Sequence, residues 1–211
     1  MEINGVVGRL YKGMEWISKL VYIQFLWVLG TFSGLIIGGL FPSTLAMYTL
    51  LRKMIIQKEE FSFSKTYWQS FRREFWKSNL LGVLVGIMGF ILYFYLVLLK
   101  DQEGILFTVL YILLLSLTFT MIITILFLAP VVVHYKLPTL QYVKLSFLLT
   151  ISYPFHGLSM MGGLVAFYFI FSYVPGLIPF LSFSVLAWFL MFMANLAFEK
   201  NKQEVTENLS L

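Results

Sequence analysis

The chain has no cysteine, two histidines and few charges, with Asp, Glu, Lys and Arg making up 12% of its 211 residues. Without cysteine there is no disulfide, no thiolate nucleophile and no thiolate metal site. Two histidines, His134 and His156, with no carboxylate inside any apolar run make a poor metal site and leave a proton relay or paired-carboxylate mechanism without members. No Gly-x-x-x-x-Gly-Lys phosphate loop occurs, so ATPase chemistry has no signature here. The expectation is a protein that is not an enzyme and carries no cofactor or metal.

Hydrophobic side chains, by contrast, make up 60% of the chain. The charges are clustered, leaving uncharged runs over Leu20–Leu51, Ser78–Leu99, Gly104–Tyr135 and Leu145–Phe198. Each exceeds the roughly 18 apolar residues that flag a membrane-spanning helix. The net charge of +5 comes from cations flanking these runs, where they meet anionic headgroups. No nucleic-acid binding is expected, because little chain remains outside the membrane to present a basic face. Arg9, Lys12 and Lys19 before an apolar stretch imitate a secretory signal, but the stretch is too long and no small-x-small site closes it, so an uncleaved first span is expected.

As one helix Leu145–Phe198 would be about 81 Å long against a hydrocarbon core of about 30 Å, so it must hold two spans, divided at "VPGLIP". Leu20–Leu51 is ambiguous, about 48 Å as a single helix. The positive-inside bias decides. A single span puts Arg9, Lys12, Lys19 and Lys100 outside, whereas a reversal near Gly38–Pro42 leaves Lys100 as the only cation outside. Gly38 and Gly39 permit a tight reversal, and Pro42 suits the first turn of a returning helix.

The fold expected is therefore all-α, one polytopic membrane domain over 1–211. Its six membrane helices lie at about 18–38, 42–57, 79–99, 105–133, 155–173 and 177–198, the second short or re-entrant. Both termini fall in the cytosol of a bacterial cell. A cytosolic interfacial amphipathic helix is expected at 62–77, where Phe63, Tyr67, Trp68, Phe71 and Phe75 cover one arc and Lys65, Arg72, Arg73 and Lys77 the other. That helix reads either as an anchor with its aromatics in the acyl boundary or as a docking surface for a partner. Pro138 could start a second interfacial helix.

Within the apolar runs Gln24, His156 and Asn195 are the candidate polar groups, either bonding neighbouring helices or lining a substrate path. Gly82, Gly86 and Gly89 share a face, as do Gly34 and Gly38, and small residues at such spacing let helices approach closely in a bundle or a dimer.

The segments "GGLFPSTLAMYTLLRK", "FSKTYWQSFRREFWKSNLLG" and "YKLPTLQYVKLSFLL", with a last helix running into "ANLAFEK", resemble the YesL-like family of bacterial integral membrane proteins, domain of unknown function 624. The resemblance covers most of the chain. Its most specific parts are the Phe-Pro-Ser/Ala-Thr turn ending in Arg-Lys and the Phe-Arg/Lys-x-x-Phe-x-x-Ser/Asn segment that follows. Members occur in Gram-positive bacteria, often beside genes for sugar-importing ABC transporters and polysaccharide-degrading enzymes. The resemblance implies a non-catalytic accessory or regulatory role in carbohydrate uptake, with importer subunits or a second copy as partners besides the lipid bilayer. It supplies no catalytic residues. The alternative is a small-molecule transporter or channel in its own right.

Overall fold

The computed structural model describes residues 6–56 and 61–209. Among these residues the chain is all-helical: α1 (Val6–Ser33), α2 (Ile37–Ile56), α3 (Phe63–Lys100), α4 (Ile105–His134), α5 (Thr139–Ser152), α6 (Pro154–Tyr173) and α7 (Ile178–Leu209), with a 3-10 turn at Pro175–Leu177. Four segments are long and apolar enough to cross a membrane: α3, α4, α6 and Pro175–Gln203. Only 11 to 28% of each apolar stretch is buried inside the bundle, which only a hydrocarbon surrounding makes favourable.

Helix α2 is the centre of the bundle and packs against α1, α3, α4 and α7. One face runs buried through Ser43, Ala46, Leu50 and Leu51, each fully enclosed. Helix α1 runs along α7 through aromatic pairs, Trp16 with Trp188 at 4.8 Å and Trp27 stacked on Phe183 at 4.3 Å between ring centroids. The long α3 and α4 pack as neighbours, and α5 lies along α4, where the Thr124 and Thr150 hydroxyls meet at 3.3 Å.

The first apolar run reverses earlier than the expected Gly38–Pro42. The turn lies at Gly34–Ile36, with Leu35 and Ile36 in the left-handed region at φ 56° and 65°. Ile36 N–H donates to Thr31 O at 2.9 Å and Leu35 N–H to Phe32 O at 3.1 Å. This is the bond pattern of a Schellman cap, here closed by leucine where glycine is usual. A β-branched residue at positive φ carries strain, and here the capping hydrogen bonds oppose it while the side chains of Leu35 and Ile36 stay exposed.

Of the two glycines that the sequence suggested as the hinge, Gly39 serves close approach instead. A Cβ on Gly39 would run into the backbone oxygens of Thr31 and Gly30, and one on Gly34 into the backbone of Gly39. Helices α1 and α2 therefore meet backbone to backbone.

Pro42 is not in the first turn of the returning helix but its sixth residue. A proline there has no N–H for the carbonyl four residues back, which is Gly38 O. Asn79 on α3 supplies the missing donor, its Nδ2 reaching Gly38 O at 3.0 Å and its own Phe75 O at 2.9 Å. Asn79→Leu should destabilise the fold by about 1 to 2 kcal/mol by stranding that carbonyl. In a Pro42→Ala background the cost should largely vanish, because an alanine at that position brings the N–H back. A double-mutant cycle of thermal melts in detergent measures this, and equal costs in the two backgrounds would refute the pairing.

Two further boundaries differ from expectation. The amphipathic segment 62–77 and the span 79–99 are one helix, because neither Lys77 nor Ser78 interrupts backbone hydrogen bonding between them. The expected helix end at Gln57 lies outside the described residues.

Candidate functional site

The N-terminal half of α3 is the most chemically distinctive surface. Its aromatic arc faces the protein rather than the acyl boundary: Tyr67 is 0% exposed, Phe71 is buried, and Phe63, Trp68 and Phe75 are half-buried. The rings form a chain, Tyr67 to Trp68 at 5.5 Å, Trp68 to Phe71 at 5.5 Å and Phe71 to Phe75 at 5.7 Å between centroids. The Tyr67 hydroxyl and Ser43 Oγ both press on Gly30, so this arc clamps α3 onto α1 and α2. Close approach at a small residue is a common way for membrane helices to pack. The physical reason for the difference from expectation is that α2 and α1 offer an apolar surface at this level, which competes with lipid for the same rings.

The opposite face is free. Lys65, Gln69, Arg72, Arg73 and Trp76 follow at helical spacing and are all exposed, Trp76 at 84%. Trp76 was not among the residues the sequence singled out, although its spacing from Lys65 and Arg72 puts it on the basic face. Arg73 Nε bonds Glu74 at 2.8 Å on an exposed surface, an ion pair worth at most about 1 kcal/mol.

Lys77 does not belong to the free face. Its Nζ donates to Tyr142 Oη at 2.8 Å and lies 4.4 Å from that ring's centroid. Tyr142 Oη in turn accepts from Leu137 N–H at 3.0 Å and donates to Tyr135 O at 3.3 Å. Lys77 thus latches α3 to the connection between α4 and α5. Burial raises the Tyr135 hydroxyl above its ordinary pKa.

The candidate intramembrane polar residues do not converge. Gln24 is 2% exposed and its Oε1 accepts the Ser184 N–H at 2.9 Å, tying α1 to α7. His156 sits at the start of α6 with its ring edge-on to Tyr153 at 6.0 Å. Asn195 donates to Glu199 Oε1 at 2.8 Å, one turn further along α7. Two cavities have largely apolar walls, with Thr44 and Ser78 in one and Thr124 and Lys144 in the other. One of about 350 Å³ lies between α2, α3, α4 and α7 beside Trp27 and Phe41, and one of about 530 Å³ lies between α3, α4 and α5. Neither contains Gln24, His156 or Asn195.

Among the packing glycines Gly82 receives the Phe41 ring and Gly163 the Phe189 ring, so each is a close-approach site between helices. Gly38 has only the Phe75 ring nearby, at 3.9 Å from where a Cβ would stand, and Gly86 and Gly89 face open space. Among the described residues no group of three or more His, Asp or Glu side chains could hold a metal ion.

A bundle of apolar helices with exposed lipid-compatible flanks, an inward-folded aromatic clamp and a basic outer face defines a polytopic membrane protein. Residues 20–96, from the apolar part of α1 to near the end of α3, match the family model described as "Protein of unknown function, DUF624". The chain is 33% identical over 188 residues to the "Uncharacterized protein YteU" of Bacillus subtilis (strain 168), covering 89% of this chain and 84% of that one. It is 29% identical over 203 residues to YesV of the same organism, covering 94% and 96% of the two chains. To YesL it is 25% identical over 163 residues, covering 77% of each. No solved structure matches. The chain belongs to the YesL-like DUF624 family.

Proposed function

We propose that this protein is a non-catalytic membrane component that assists or regulates a carbohydrate importer of the ABC type, docking through the exposed face of α3. The observation that carries the reading is the division of that helix: its aromatic side is fixed in the bundle while Lys65, Arg72, Arg73 and Trp76 stand outward. A rigidly held face with cations around a solvent-exposed tryptophan suits an acidic protein surface, since Trp and Arg are the side chains that most often anchor interfaces. The carbohydrate link comes from the family resemblance. Deleting the gene should lower uptake of the sugar whose importer it serves, and unchanged uptake of every sugar tested would count against the role. The separation of Gln24, His156 and Asn195 favours this reading over a transport path of its own, and reconstituted liposomes should accordingly show no flux above empty vesicles.

The finer topology belongs to the same proposal: six helices in the bacterial cytoplasmic membrane, α1 and α2 forming a hairpin that enters and returns on the cytosolic side, and both termini cytosolic. The contacts of α1 along the apolar half of α7 support membrane insertion of the hairpin. Because the chain has no cysteine, single introduced ones report sidedness directly. Gln102→Cys should react with an impermeant maleimide on intact cells, and Ser62→Cys only after permeabilisation. Reaction of both from one side would refute the crossing of α3.

A further inference from the structure

The cavity of about 350 Å³ between α2, α3, α4 and α7 is a slot that runs along the helices. Its wall is drawn from residues 40–48 of α2, 78–85 of α3, 125–132 of α4 and 183–190 of α7, about two turns of each, which makes it about 10 Å long. At one end Leu40, Phe41, Ile125 and Phe183 are all exposed, so the slot opens sideways onto the apolar flank of the bundle. At the other end stand Tyr48, Ser78, Val132 and Leu190.

Four polar groups line the slot, and three of them are satisfied. Trp27 Nε1–H donates to Thr44 Oγ1 at 3.1 Å, the Thr44 hydroxyl to Leu40 O at 2.8 Å and the Ser78 hydroxyl to Phe75 O at 3.0 Å. Tyr48 is the exception. It is 5% exposed, and its hydroxyl has no hydrogen-bond partner among the described residues. Nor is that hydroxyl one of the polar atoms sealed inside the core, so the space it meets is the slot. A buried donor without an acceptor is costly, and a molecule in the slot that brings an acceptor relieves the cost.

Depth identifies the acceptor. Arg52 and Lys53 on α2, Lys77 on α3 and a more polar pocket that holds His134, Asn195, Glu199 and Lys202 where α2, α4 and α7 end mark one level of the bundle, that of the headgroups. Tyr48 is one turn, about 6 Å, inward of Arg52, and Ser78 follows Lys77 directly. This is the level of the ester carbonyls of a glycerolipid, from which the acyl chains continue toward the bilayer centre. No charged side chain lines the slot, which suits an uncharged section of lipid. Its size, its largely apolar wall and its single unspent polar group match a small-ligand site.

We propose that this slot seats one acyl chain of a membrane glycerolipid, with the Tyr48 hydroxyl donating to the ester carbonyl at the head of that chain. The test compares lipids that differ in the carbonyl alone. The purified full-length protein is titrated in detergent with a diester phosphatidylcholine and with the diether of the same chains, and tightly bound lipid is counted by native mass spectrometry. Wild type should hold the diester about fivefold more tightly, the range of a neutral hydrogen bond. Tyr48→Phe keeps the ring and breaks no bond of the fold, so without lipid it should melt as wild type does, and it should bind both lipids at the diether level. Ala129→Phe, which fills the slot from α4, should hold neither tightly. The diester-to-diether ratio should be the same with phosphatidylglycerol headgroups, because the headgroup stays outside the slot. Equal binding of diester and diether by wild type, a diester preference that survives in Tyr48→Phe, or a ratio set by the headgroup would overturn the proposal. An alkyl naphthoquinone carries the same kind of acceptor, and displacement of the diester by it at equal concentration would overturn the proposal in favour of a quinone.

Discussion

Gly39→Leu should abolish recovery of folded, monodisperse protein, whereas Gly86→Leu should leave it unchanged. Both glycines lie in apolar helical runs, and composition does not distinguish them. At Gly39 a Cβ would collide with Thr31 O, stand 2.8 Å from Gly30 O and 3.0 Å from Gly34 Cα. These are backbone atoms, which cannot rotate aside as a side chain can. The hairpin would have to open, and α2 would then shift against α3, α4 and α7 together, because it touches all of them. Overpacking of this kind costs about 3 kcal/mol or more, a large part of the stability of a domain this size. At Gly86 nothing lies within 4 Å of the added atom, and the new leucine meets lipid, so the change should stay within about 0.5 kcal/mol. Melting temperature and elution profile in mild detergent measure both. A well-folded Gly39→Leu protein would show that the two helices do not meet as described.

Tyr67→Ala is expected to destabilise by about 3 to 5 kcal/mol, the range for deleting a large aromatic from a closed core. The ring is fully enclosed and touches Trp68 and Phe71, and its hydroxyl reaches Ser43 and Gly30 on the neighbouring hairpin. Removing it leaves a void at the place where α1, α2 and α3 are clamped together. Tyr67→Phe keeps the ring and should cost about 1 kcal/mol or less. Arg72→Ala, on the exposed side of the same helix, should not move the melting temperature by more than about two degrees. The contrast tests whether the two faces of α3 do separate work, one for the fold and one for a partner. Similar losses from Tyr67→Ala and Arg72→Ala would contradict the division.

The apolar runs made the helical membrane class legible, because few charges and long uncharged stretches permit little else. The amphipathic pattern of α3 was equally plain, since Phe63, Tyr67, Trp68, Phe71 and Phe75 recur at helical spacing. What the pattern could not say was which apolar phase those rings enter, because lipid and a neighbouring helix ask for the same side chains. Pro42 misled for a related reason. A proline signals an unsatisfied carbonyl, and nothing in the local sequence marks Asn79, far along the chain on another helix, as the donor that meets it. The reversal at Leu35 and Ile36 was hidden because neither residue type favours positive φ, while two glycines stood close by. Lys77 looked like a member of the basic face, yet the fold draws it to Tyr142. The pocket that holds His134 was invisible for the plainest reason: its groups come from three helices far apart in the chain.

The most direct test of the docking reading is affinity purification from native membranes with the wild-type protein and with Arg72→Glu/Arg73→Glu, compared at equal amounts of folded bait. Both arginines are exposed, so the double variant should melt as wild type does. Importer subunits should copurify with wild type and fall at least about tenfold with the charge-reversed variant, since like charges across an interface repel strongly. Importer subunits recovered equally with both proteins, or with neither, would contradict it.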